Sequence, residues 1–163
     1  MAHTVVRTDM LAGTVNQAFL ENGRYKKDGN YAAIDNGSIV MVGDLEDGER
    51  ESHVYSDVAA GTNLNKLVLI AAPEIIKDTC VRKDIRDFEV AAGAVARGYY
   101  LTHGSEFSVT ADGIDGSPVK GVAVGIADGT HKLKVSAEDT KIGVITDVEV
   151  KKFMTFYTIK VTE

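Results

Sequence analysis

The sequence predicts a mainly β protein: a small β-barrel or β-sandwich with one short helix and an extended N-terminal arm. Three observations predict it. Sixteen glycines stand against two prolines, and glycine supplies the positive φ angles of tight turns. Apolar residues come in short stretches that alternate with small or polar neighbours, the period of a half-buried strand. Turn dipeptides separate these stretches at intervals of about 8–12 residues, the spacing of a small barrel or sandwich. A closed sheet is expected because it leaves no long hydrophobic edge exposed.

Residues 1–28 come first, with Val5, Val6, Leu11, Val15, Phe19 and Leu20 set among polar residues and Gly13. Neither a period of two nor one of 3.6 emerges, so this segment is expected to be an arm that orders against a neighbour. Residues 29–92 follow as a hairpin region. Tyr31–Ile34 leads into Asp35-Asn36-Gly37-Ser38 and then Ile39–Val42; Asn-Gly accepts a type I′ turn, so a hairpin is predicted there. The acidic stretch 44–51 should be a solvated loop, and Lys66–Ala72 a buried strand. After Pro73, Val81, Ile85 and Phe88 fall at i, i+4 and i+7 with basic residues between them, which predicts a short amphipathic helix.

From Gly93 onward strand and turn alternate, so residues 93–163 are expected to form the barrel, with 29–163 as a single domain the broader option. Phe107 and Val109 lie on one strand face. Val122, Val124 and Ile126 and then Leu133 and Val135 flank Asp128-Gly129 as a second hairpin, and Ile142 to Val150 and Tyr157 to Val161 close the chain. His103-Gly104-Ser105 reads as the turn joining a strand at Tyr99–Leu101 to one at Phe107–Thr110.

Composition narrows the function. A hydrophobic fraction of 44% with 26% charged residues is that of a soluble globular domain. The longest apolar stretch, Leu67–Ala72, falls far short of the roughly 18 residues of a membrane span. The start, MAHTVVRTDM, has no basic leader or apolar secretory core. Eighteen basic against twenty-four acidic side chains give a net charge of −6, which argues against a nucleic-acid-coating role. The basic spots Arg24–Lys27 and Lys151-Lys152 are short enough to be solvated surface. Cys80 is the lone cysteine, so no intrachain disulfide forms and folding in a reducing cytoplasm fits.

A search for chemistry returns no catalytic, cofactor or metal residues. Ser105 stands two residues from His103 with no strand-to-helix elbow to activate it. His3, His53, His103 and His131 form no short-range ligand pair, so a metal site would need ligands from distant strands. Asp112 to Gly116 and Asp128-Gly129 lack the calcium-loop pattern, and no glycine-rich phosphate loop occurs. Cys80 has no patterned histidine partner.

One resemblance adds to these residues. The order of "YAAIDNGSIVMVGDLEDGERE", then "LVLIAAPEII", then "KDIRDFEVAAGAVARGYYLTHGSEFSVTADGI", with Phe88, Gly93, Arg97, Leu101, Gly104 and Phe107, resembles small phage structural proteins of the head decoration or minor capsid type. The likeness runs from about Asn22 to the C-terminus. It implies a non-enzymatic virion protein, a capsid cement subunit assembled in the host cytoplasm. Such a subunit sits on the outer capsid surface, clamps the major capsid protein and is often a trimer. No cofactor, nucleic acid or membrane is implied. A clamp works by burying partner surface, and Val5, Val6, Leu11, Val15 and Phe19 are the expected contacts; covering the chain's own barrel is the alternative role for them. Deleting residues 1–20 should then weaken particle binding and leave the barrel folded. Competing expectations are a tail-tube or head–tail joining subunit, and a small β-barrel glycan-binding module or enzyme using His103, Glu106 or Asp115.

Overall fold

The computed structural model describes residues 2–11, 17–75 and 84–162. Among these residues thirteen strands lie in two sheets. The first is built from β2 (Leu20–Lys27), β3 (Asn30–Tyr31), β4 (Ile39–Leu45), β5 (His53–Ser56), β6 (Leu67–Ile70) and β7 (Ala96–Tyr100). Its order is β3-β2-β5-β4-β6-β7, and β2 also pairs with β7. That extra pairing closes β2, β5, β4, β6 and β7 into a five-stranded barrel. The second sheet runs β1-β8-β13-β12-β10-β11-β9. It contains β1 (Val6–Arg7), β8 (Glu106–Thr110), β9 (Ile114–Asp115), β10 (Ala123–Ile126), β11 (Leu133–Val135), β12 (Thr140–Val150) and β13 (Thr155–Val161).

The mainly β class and the barrel stand as the sequence predicted, but the closed barrel occupies 20–100 rather than 93–163. The reason is visible in β6. All four of its side chains are fully buried, because a strand sandwiched between two cores loses the polar half of its alternation. Val68 and Ile70 pack with Tyr25, Val40, Tyr55 and Ala96 inside the barrel. Leu67 and Leu69 face outward, with Ile39 and Tyr99, onto Phe107, Val109, Ile126, Leu133, Ile142, Ile145 and Ile159 of the second sheet. Tyr55 fills the barrel interior because two glycines make room for its ring. A Cβ on Gly23 would lie 2.5 Å from Tyr55 Cε1, and one on Gly98 would lie 2.8 Å from its hydroxyl.

Several local expectations are corrected. Asn36-Gly37 turns the chain, with Gly37 at φ 82°, but the flanking segments do not pair. Asn36 is buried and instead mimics a strand neighbour for β6: its Nδ2 donates to Ala72 O and its Oδ1 accepts from Ala72 N, both at 2.9 Å. The hairpin lies one turn earlier, where Asp28 and Gly29 both take positive φ between β2 and β3. The hairpin flanking Asp128-Gly129 forms as expected, with Val124 opposite Val135. Of the predicted helix, the described part is one 3-10 turn, Ile85–Asp87, capped by Asp84; Val81 lies outside the described residues. Among the described residues no helix is long and apolar enough to cross a membrane.

The N-terminal segment departs most from its expected role. Val5, Val6 and Leu11 are 4%, 9% and 6% exposed. Val6 pairs with Val109, and Val5 exchanges main-chain and hydroxyl hydrogen bonds with Thr110. These side chains are part of the chain's own core, so Val5, Val6 and Leu11 are not free to serve as partner contacts.

Candidate functional site

The turn at 102–106 carries the chain from the barrel to the second sheet, because β7 and β8 belong to different sheets. Gly104 takes φ 87° and donates its N–H to Val161 O at 2.9 Å. The Ser105 hydroxyl lies 2.9 Å from the Thr102 hydroxyl and accepts from Thr102 N. His103 is exposed. The serine is thus engaged as a turn brace. Glu106, at the start of β8, pairs with Lys160 at 3.4 Å, and Asp115, in β9, pairs with Lys132 at 2.8 Å.

A polar cluster that the sequence did not reveal sits at the barrel mouth. Alternation along β2, β5 and β7 turns Glu21, His53 and Tyr100 to the side that holds Tyr55. Glu21 Oε1 lies 3.0 Å from His53 Nδ1, and the Tyr100 hydroxyl donates to Glu21 Oε2 at 3.4 Å. The Tyr55 hydroxyl is buried against the Gly98 main chain, with no side-chain hydrogen-bond partner among the described residues. Burial, then the Glu21 carboxylate, push it far above the usual phenol range, so it remains protonated. Glu21 and Tyr100 also line a cavity of about 690 Å³ with Phe19, Leu64 and Leu101. Phe19, a predicted partner contact, is half-buried in that wall. Val15 lies outside the described residues. No motif spacing marks this cluster, because β2 and β5 are parallel neighbours separated by β3 and β4 in the chain.

A second cluster joins the sheets. The Tyr25 hydroxyl donates to Asp57 Oδ1 at 2.6 Å, and His131 Nδ1 reaches the same oxygen at 2.7 Å. Burial, then the Asp57 carboxylate, raise the Tyr25 pKa well beyond its ordinary value. His131 closes the ring from the loop after β10, where Val58 bridges Thr130. This is a structural lock between barrel and sheet, since each of its groups is already paired with another. His3, Asp35 and Glu89 also gather, with donor atoms all within 4.8 Å of one another.

The β12–β13 hairpin extends outward from the second sheet. β8 lies along β13 only from Phe156 to Lys160, and β10 lies along β12 only to Val144. The tip therefore overruns both neighbours. It presents Val150 at 77% and Phe153 at 72% exposure, with Lys151 and Lys152 between them. Arg7 braces the base: it donates to Glu149 Oε2 at 2.6 Å and stacks 5.1 Å from the Phe156 ring centre. Lys151 reaches Glu149 from the other side at 2.5 Å. An apolar pair held out on a braced hairpin is suited to insertion into a partner surface.

None of the family models, curated proteins or solved structures compared with this chain matches it.

Proposed function

We propose that this chain is a non-enzymatic virion structural protein, a decoration or cement subunit that binds the outer surface of a phage head and stabilises it. The observation that carries this is the β12–β13 tip, where Val150 and Phe153 project beyond the sheet on a hairpin braced by Arg7, Glu149 and Lys151. A molecule that works by adhesion needs a rigid body and an apolar anchor, because a preordered anchor loses little entropy on docking. The doubly packed β6 and the closed barrel supply the rigid body. The partner is the major capsid protein, and copies of the chain associate with one another on the shell, with a trimer favoured. The contact moves from the N-terminal segment, where the sequence suggested it, to the hairpin tip.

The test is recovery of the protein with purified particles and its position on them by low-resolution imaging. Many copies in an ordered surface array support decoration. A single ring at the tail junction would turn the reading into a joining protein, and absence from the particle would end both. Replacing Val150 and Phe153 with aspartate should weaken particle association at least about tenfold, roughly 1.4 kcal/mol. The fold should hold within about 0.5 kcal/mol, as exposed positions do.

The barrel-mouth cavity favours one further reading, a module that binds a small amphipathic ligand. Apolar walls from Phe19, Leu64 and Leu101 with one carboxylate at Glu21 are the composition of such a pocket. Saturable binding of a hydrophobic amine, lost in Glu21→Gln, would promote it.

A further inference from the structure

We infer that His3, Asp35 and Glu89 form a divalent transition-metal site, with zinc the ion of first choice, that staples the N-terminal segment to the barrel. The three residues are 32 and 54 positions apart in the chain, and the fold brings them together by main-chain contacts. Ile34 and Val90 form an antiparallel bridge, with Ile34 N donating to Val90 O at 3.0 Å and Val90 N to Ile34 O at 2.9 Å. Asp35 follows and Glu89 precedes this bridged pair, and their carboxylate oxygens lie within 4.8 Å of each other and of the His3 imidazole. His3 N donates to Arg86 O at 2.7 Å, which sets the imidazole beside them. Its Nδ1 lies 2.6 Å from Asp35 Oδ1.

Two carboxylates held this close repel one another. Among the described residues, two cations on adjoining segments are already paired elsewhere. The Arg86 guanidinium is engaged by Asp84 and Lys132 by Asp115, and Glu89 has no ion-pair partner among the described residues. A divalent ion would supply the missing positive charge. One imidazole nitrogen with two carboxylate oxygens is a borderline donor set that suits zinc or manganese better than magnesium or calcium, which take oxygen ligands. Ligand atoms about 2.0–2.2 Å from zinc lie roughly 3.3 Å apart. The site reaches that spacing if the His3–Asp35 contact opens slightly and exposed Glu89 swings inward. Zinc binds through the same Nδ1 and Oδ1 atoms in place of the proton between them, which passes to Nε2 or to solvent. Water completes the coordination.

The experiment titrates zinc into the metal-free full chain by calorimetry and follows amide hydrogen exchange across residues 3–11. One zinc per chain is expected, with slower exchange in that segment once loaded and weaker binding of magnesium. Asp35→Asn and Glu89→Gln should each weaken zinc by about tenfold or more while circular dichroism shows the fold intact. Chelation by His3 with main-chain nitrogens alone would be lost in His3→Ala yet persist in Asp35→Asn and Glu89→Gln. That pattern, or no saturable binding by the wild-type chain, overturns the site.

Discussion

At the residue scale, Glu46 is the clearest case of a charge whose role depends on its setting. It lies in a stretch that reads as a solvated acidic loop, yet it is only 8% exposed. Lys26 meets its Oε1 at 2.8 Å, Arg24 its Oε2 at 2.6 Å, and the Tyr31 hydroxyl donates to Oε1 as well. The Lys26 ammonium first, then Tyr31 and Arg24, hold its carboxyl at about 2, against about 4.3 for a free glutamate. The folded chain therefore releases this proton more readily than the unfolded one. Its stabilisation is complete above about pH 4.3 and disappears as pH falls towards 2. Urea midpoints measured against pH should show Glu46→Gln less stable than wild type at neutral pH, with the gap narrowing below pH 4. A constant gap across that window would mean that Glu46 acts through shape rather than charge.

At the element scale, the β12–β13 pair is the longest hairpin among the described residues, and its register rests on one close approach. Gly143 faces Val161, and a Cβ there would lie 2.0 Å from the Lys160 carbonyl oxygen. The obstacle is backbone, which cannot rotate aside. Gly143→Ala should destabilise the protein by about 1–3 kcal/mol or more, read from chemical denaturation, and should loosen the hairpin that carries Val150 and Phe153. The alternation of Ile142, Val144, Val148 and Val150 reveals a strand in the sequence. That its end outruns its neighbours does not show there, because overhang depends on where β8 and β10 stop.

For the whole molecule, the larger of the two cores is shared by both sheets. Residues from Val6 and Leu11 through Leu67 and Tyr99 to Ile159 and Val161 fall in a single cluster, so the N-terminal segment is structural cement for its own chain. Leu11→Ala should cost about 2–5 kcal/mol, the usual loss for a buried leucine. Unfolding should stay a single transition, with tyrosine fluorescence and far-ultraviolet circular dichroism coinciding. Five of the six tyrosines, including Tyr25, Tyr55 and Tyr99, lie in the barrel sheet, so their signal tests the barrel separately from the total strand content. Two separated transitions would show that the sheets unfold independently. For the same reason deletion of residues 1–20 strips the core and cannot serve as a clean test of particle binding.

Local sequence determined what is local: strand content, the buried run at Leu67–Ile70, the turn at His103–Ser105 and the hairpin around Asp128-Gly129. These follow from alternation and turn chemistry within a few residues. Partner choice between strands was decided only in the tertiary structure. The parallel β2–β5 pair, the β2–β7 closure and the seat of Val5, Val6 and Leu11 depend on contacts between residues far apart in the chain, and alternation marks a face without naming its neighbour. The same holds for chemistry. Glu21 with His53, Tyr25 with Asp57 and His131, and His3 with Asp35 and Glu89 have no spacing to betray them, because closing the barrel and bridging Ile34 to Val90 are what bring their side chains within reach.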